Sequence, residues 1–253
     1  MFHASSPSAP DVLRDLRARV ARIERAQRPG VQAPVPLGLA PIDTLLPDGG
    51  LARGALHEAM GAGPDTEHAA AATLFLAGVL ARLTGPVLWV LRQADLFAPG
   101  LAAAGLSPAR IIFVEAGKEV LPAMEEGLRH GGLAAVVGEV AGKLTLAASR
   151  RLQLAAEQTG VLALLLRRSQ GFDDPLLREP SAAVTRWRVA ALPSQPLPAP
   201  GLGRARWRFD LLRCRGGEPG SWIVEACDEK GRLHLVSDAA DGSAAPARLR
   251  RSA

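Results

Sequence analysis

Two cysteines, Cys214 and Cys227, are too few for a disulfide framework, and no C-x-x-C or Cys/His spacing surrounds them to suggest a zinc site. They read as ordinary reduced thiols of a cytosolic protein. The five histidines, His3, His57, His68, His130 and His234, show no H-x-x-x-H or related metal spacing. A G-x-S-x-G nucleophile elbow is missing too. The carboxylate pairs Asp173-Asp174 and Glu125-Glu126 are sequence neighbours whose side chains point apart, so they read as solvated charge rather than as an acid/base pair. No run reaches the ~20 uninterrupted apolar residues of a membrane span. The first 30 residues lack the basic-then-apolar order of a signal peptide, because Arg14, Asp15, Arg17, Arg19 and Arg22 interrupt them. Together these absences argue against metalloenzyme, serine hydrolase and membrane classes. They make the cytoplasm the expected location.

What is present fits one sizeable globular core. The chain has 253 residues, of which 48% are hydrophobic and 22% charged. The formal charge of +5 and the pI near 10.2 rest almost wholly on arginine and permit polyanion binding.

Three segments follow from the patterning. Residues 1–36 are expected to hold an amphipathic helix and a proline-rich linker. Val12, Leu13, Leu16, Val20 and Ile23 recur at spacings of three and four, which makes one apolar stripe suited to docking on a partner or on the chain's own domain. "RPGVQAPVP" then stops the helix. Residues 37–238 read as one α/β domain. The apolar runs at Ala55–Met60, "PVLWVL", "RIIFVEA", "LAAVVGEV" and "VLALLL" alternate with helices expected at Glu67–Leu83, Ala94–Ala104, Val120–His130 and Ala147–Glu157. Continuous apolar strands separated by helices imply a doubly wound, mostly parallel sheet. Beyond Arg167 the runs "AAVTRWRVAAL", "RARWRFDLLRC", "SWIVEAC" and "RLHLVSD" are expected as antiparallel strands extending it. Residues 239–253 read as a disordered tail.

The stretch "GAGPDTEH", Gly61 to His68, sits between a strand and a helix, where a phosphate-binding P-loop belongs. That motif, G-x-x-x-x-G-K-[ST], uses backbone amides, a lysine and a magnesium-binding hydroxyl. Here Gly61 and Gly63 serve the turn, but Thr66, Glu67 and His68 stand at the second glycine, lysine and hydroxyl positions. A unit charge about 4 Å from another is worth on the order of 4 kcal/mol at an effective dielectric of 20, so Glu67 turns attraction into repulsion. Magnesium prefers oxygen donors, which counts against His68. The strand "LAAVVGEV" has Gly138 where such ATPases carry a magnesium-holding aspartate, with Glu139 following. No cofactor is expected.

Arginines near the ends of later strands, Arg167, Arg168, Arg178, Arg186 and Arg188, are candidate contacts to DNA. Arg204, Arg206 and Arg208 alternate around Trp207, and guanidinium groups interleaved with tryptophan can grip phosphates and stack bases. The alternative is a solvated outer face with the tryptophans buried beneath.

"LGLAPIDTLLPDGGLARGALHEAMG" resembles the segment that enters the P-loop of RecA-like ATPases. More specifically, "PVLWVLRQADLFAPGLAAAGLSPARIIFV", "LTLAASRRLQLAAEQTGVLALLLR" and "RWRFDLLRCRGGEPGSWIVEACDEKGRLHLV" are similar to the ImuA family. These are RecA-like accessory proteins of the bacterial SOS mutasome. The resemblance implies a RecA-like fold and a non-catalytic adaptor role in error-prone translesion synthesis. It also implies partners: an ImuB-like Y-family polymerase homologue, an error-prone replicative-type polymerase, and RecA, a second copy or single-stranded DNA. By order in the chain, Gln170–Pro180 matches a DNA-contacting loop of RecA-like recombinases. Two other readings stay open, a RecA-like ATPase with a divergent loop and a SulA-like inhibitor of cell division.

Overall fold

The computed structural model describes residues 32–169, 171, 179–194, 197, 200, 201 and 203–238. The stripe Val12, Leu13, Leu16, Val20 and Ile23, Arg178, most of the Gln170–Pro180 loop and the tail from 239 lie outside these residues.

The chain enters through a short helix α1 (Ala40–Asp43), whose Asp43 carboxylate accepts from the backbone N–H groups of Leu37, Gly38 and Leu39. Then follow β1 (Leu56–Gly61), α2 (Asp65–Ala81), β2 (Val87–Leu91), α3 (Ala98–Ala103), β3 (Ile111–Glu115), α4 (Val120–Leu128), β4 (Ala135–Ala141), α5 (Leu146–Thr159) and β5 (Leu162–Arg168). Strands β6 (Thr185–Leu192), β7 (Arg206–Cys214), β8 (Gly220–Glu225) and β9 (His234–Asp238) complete the order. The described strands form a single nine-stranded sheet in the order β3-β2-β4-β5-β1-β6-β7-β8-β9. It is parallel from β3 to β6 and antiparallel from β6 to β9.

The doubly wound expectation holds, with one correction at its seam. The run "AAVTRWRVAAL" does not lie wholly among the antiparallel strands, because β6 pairs parallel with β1 and antiparallel with β7. Its burial explains the parallel side: Thr185, Trp187, Val189 and Ala190 are all buried, as a strand inside the sheet requires.

Period-two alternation divides the strands between two cores. In β5, Leu162, Leu164 and Leu166 join one cluster, while Ala163 and Leu165 join the other. Helix α2 packs against β1, β5 and β6 on the first face, and α4 and α5 cover the second. Beneath α2, Phe75 meets Phe209 edge-on at 4.8 Å and Trp187 at 5.6 Å.

Local chemistry moves several helix ends. Pro64, with φ −56, starts α2 at Asp65 rather than Glu67. Pro99 lies in the first turn of α3, so that helix begins at Ala98 and the residues before it stay irregular. The Thr145 hydroxyl caps α5 by accepting from the Ala148 N–H, and Gly160 ends it in the left-handed conformation at φ 77.

Gly105 combines φ +89 with a close approach, because a Cβ there would run into the backbone of Lys230 and Gly231. Gly105→Ala is therefore expected to cost about 3 kcal/mol, from left-handed strain plus steric displacement. That corresponds to a thermal midpoint lower by roughly 6–12 °C. A midpoint within two degrees of wild type in differential scanning calorimetry would contradict this packing.

At the far edge, β3 pairs only with β2 among the described strands, and Ile112 and Phe113 are 51% and 41% exposed.

Candidate functional site

The carboxyl ends of β1, β2, β4 and β5 surround a cleft of about 390 Å³, the usual ligand position in an open α/β sheet. Its lining includes Asp65, Arg92, Asp95, Glu139 and Arg168.

Only Ala62, Gly63 and Pro64 separate β1 from α2. A turn this short cannot wrap a phosphate, and four of the amides around it already donate within the chain. Ala62 N–H donates to Val189 O, Asp65 N–H to Ser169 O, and the N–H groups of Glu67 and His68 to Pro64 O, all at 3.0–3.1 Å. Ser169 N–H returns a bond of 3.0 Å to the Asp65 carboxylate, so the helix start is clamped to the end of β5. Close packing accounts for Gly61, since a Cβ there would lie 2.9 Å from the Cβ of His68. Gly63 is buried in the turn. Thr66 and Glu67 are exposed, and the Glu67 carboxylate lies 3.9 Å from His68 Nε2. His68 Nδ1 accepts from Ala191 N–H at 3.1 Å and so ties α2 to β6.

Strand β4 needs a correction. Alternation turns Gly138 toward α4, where a Cβ would lie 2.6 Å from Met124 Sδ. The residue that faces the cleft is Glu139, so a carboxylate does occupy the magnesium-side position. It is 3% exposed, accepts from Trp89 Nε1 at 2.8 Å and lies 3.6 Å from Arg168 Nη1. Burial pushes its carboxyl above the ordinary range, against the pull of Arg168 and the Trp89 N–H.

Arg168 fills the middle of this arrangement. Its Nε lies 3.1 Å from Asp65 Oδ2, its Nη2 2.8 Å from Asp95 Oδ2, and its Nη1 reaches Glu139. One guanidinium thus meets carboxylates from the start of α2, the β2–α3 connection and β4. The cleft already holds a cation of its own, one guanidinium against three carboxylates. Magnesium nucleotide does not fit these residues: the turn is only three residues long, glutamate stands at the lysine position, and Arg168 is held among the carboxylates of the cleft. Among the described residues, no His, Cys, Asp and Glu group is arranged to hold a metal ion.

The candidate arginines are not brought together. Arg168 lies in the cleft. Arg167 points to the opposite side of β5, is 2% exposed, and donates to Gly142 O at 2.8 Å. Arg186 donates to the buried Glu58 carboxylate at 2.8 Å. Arg188 stands on the open side of β6, paired with Asp210 at 2.9 Å. Trp187 and Trp207 are buried, which removes them as platforms for bases. Asp65 and Asp95 are the residues that sequence reasoning missed. The available signal was positional, since Asp95 follows "PVLWVLRQA" just past the carboxyl end of a parallel strand.

The chain is 42% identical over 239 residues to "Protein ImuA" from two strains of Caulobacter vibrioides, spanning 88% of this chain and 98% of each relative. Among solved structures, the RadB recombinase superposes with a TM-score of 0.55 at 18% identity, over 80% of this chain and all of that one. That likeness is one of fold. No family model matches the chain.

Proposed function

Because the chain belongs to the ImuA family, we propose that it acts in SOS mutagenesis as a non-catalytic accessory protein. Its RecA-like body serves as a docking piece for the translesion machinery. The partners in this reading are an ImuB-like Y-family polymerase homologue and an error-prone replicative-type polymerase. The observation that carries the non-catalytic part is Arg168, held among Asp65, Asp95 and Glu139 in the cleft at the carboxyl ends of the strands. Strand, turn and helix keep the frame, and the N–H groups of Ala62, Asp65, Glu67 and His68 donate within the chain. A docking protein needs that frame but not the phosphate chemistry, so Glu67 is tolerated.

Titration calorimetry with Mg-ATP is expected to give no heat of binding. A dissociation constant tighter than about 10 μM, roughly −6.8 kcal/mol, would favour the rival ATPase reading instead. Glu139 is the feature that gives that rival its footing, since it faces the cleft. No helix among the described residues is long and apolar enough to cross a membrane.

The docking part rests on the stripe Val12, Leu13, Leu16, Val20 and Ile23. Leu16→Glu with Val20→Glu is expected to abolish capture of the polymerase partners while leaving the thermal midpoint nearly unchanged. Burying such side chains contributes about 1.5–3 kcal/mol each, enough to decide a micromolar interaction. Unfolding many degrees lower would place the stripe in the chain's own core.

A further inference from the structure

The alternating arginines of the C-terminal strands are not absorbed by the cleft. Trp187, Phe209 and Trp222 point into the core under α2, so Arg188, Arg206 and Arg208 project from the opposite side of the same strands. The register sets Arg188 opposite Asp210 and Ala190 opposite Arg208, which places the two arginines on one diagonal. Asp210, only 8% exposed, holds both of them. Its Oδ2 accepts from Arg188 Nε at 2.9 Å and lies 3.5 Å from Arg208 Nε, while Oδ1 accepts from Ser221 Oγ at 2.6 Å. A buried carboxylate thereby fixes two guanidinium groups side by side, with side chains 42% and 33% exposed. Arg206 extends the row two residues along β7, about 7 Å from Arg208. Across the sheet from Arg206, Glu225 is met by Arg204 at 3.4 Å. Asp210 is thus a single anion shared by two cations, Arg188 and Arg208.

We infer that this face, with Arg188, Arg206 and Arg208 as its row of contacts, binds the phosphate backbone of a nucleic acid. Guanidinium forks match phosphate oxygens, and Arg188 commits Nε and Nη2 to Asp210 while its side chain stays 42% exposed. The tryptophans lie on the buried side, so bases find no stacking platform and recognition is by charge alone. An acidic protein segment would need apolar pockets for anchoring side chains as well. Leu192 and Ile223 are half-buried and Leu212 of β7 is 40% exposed, so competition with polyglutamate distinguishes the two kinds of partner.

The test is fluorescence anisotropy of a labelled oligothymidylate with the full chain across a salt series. The Arg188→Gln, Arg206→Gln, Arg208→Gln triple variant is expected to lower the salt slope by about 2, or 3 × 0.7, if each side chain touches one phosphate. Asp210→Asn leaves every cation in place and removes the shared anion, so it is expected to tighten binding several-fold at low salt. A solvated or purely structural row predicts no such gain. The corresponding triple Lys variant keeps the charge and is expected to keep the slope. No binding by the wild type, an unchanged slope in the triple variant, or no gain from Asp210→Asn would each overturn the assignment. If the triple variant fails to fold, the Asp210→Asn arm decides alone. Polyglutamate that binds more tightly than the oligonucleotide at equal charge would also overturn it, in favour of an acidic protein partner.

Discussion

Arg186→Met is expected to destabilise the domain by on the order of 3–5 kcal/mol, because it strands a charge in the core. Glu58 lies in the middle of β1, its side chain wholly inaccessible, and its Oε2 accepts from Arg186 Nε at 2.8 Å. The same guanidinium also donates to Glu179 O at 2.7 Å and Ser181 Oγ at 3.2 Å, which fixes the segment leading into β6. Removing one partner leaves the carboxylate without its counter-charge in a medium that solvates it poorly. Replacing both partners, as in Glu58→Leu with Arg186→Met, takes out the charge and its counter-charge together and is expected to recover most of the loss. Urea unfolding of the two single variants and the double completes the cycle. A single-variant cost below about 1 kcal/mol would mean that water reaches Glu58, contrary to its burial.

Acid is expected to weaken the fold through His57. This histidine is 2% exposed on β1. Trp187 Nε1 donates to Thr185 Oγ1 at 2.9 Å, and the pair His57 Nδ1 and Thr185 Oγ1 lies at 2.8 Å. His57 Nε2 faces Ala52 O at 2.9 Å. The consistent assignment is a neutral ring that donates from Nε2 and accepts the Thr185 hydroxyl proton at Nδ1. Burial lowers its pKa from 6.5 to about 4, although the bond to Ala52 pulls the other way. A depressed folded-state value contributes stability that is complete above the unfolded pKa and is lost as pH falls toward the folded one. The window is thus from 6.5 down to about 4. A difference of about 2.5 between the two values corresponds to about 3 kcal/mol. Urea midpoints measured across that window should fall less steeply in His57→Gln than in the wild type. Equal slopes would assign the acid sensitivity to other groups.

The parts of the fold legible in the sequence are those where one local pattern has a single reading. "VLALLL" is apolar at every position because both faces of β5 are covered, and this alone implies a two-faced sheet. The reversal of charge at Glu67 is equally plain, since it is a matter of residue type. The parallel pairing of β6 with β1 is not legible, because its partner lies over a hundred positions earlier and alternation looks alike in both pairings. Arg168 shows the limit for the site. One residue apart on β5, Arg167 and Arg168 face opposite sides, and only the placement of Asp65, Asp95 and Glu139 distinguishes the cleft residue from the buried one. Gly138 and Glu139 escape a sequence reading for the same reason: which of two adjacent residues faces the cleft depends on sheet phase.

The position of β1 between β5 and β6 also sets a timetable for the chain as it leaves the ribosome. His57 cannot meet Thr185 until 128 further positions have been made. At about 5–20 residues per second, that delay is roughly 6–25 s, during which Leu56, Ala59 and Met60 have no strand on the β6 side. The sheet therefore cannot close from the first half of the message alone. A nascent chain stalled before residue 185 would present an apolar central strand with one open edge, the form that chaperones and proteases recognise. Synonymous codons that slow translation between residues 60 and 185 should lower the yield of folded protein, while the same slowing after β6 should matter far less.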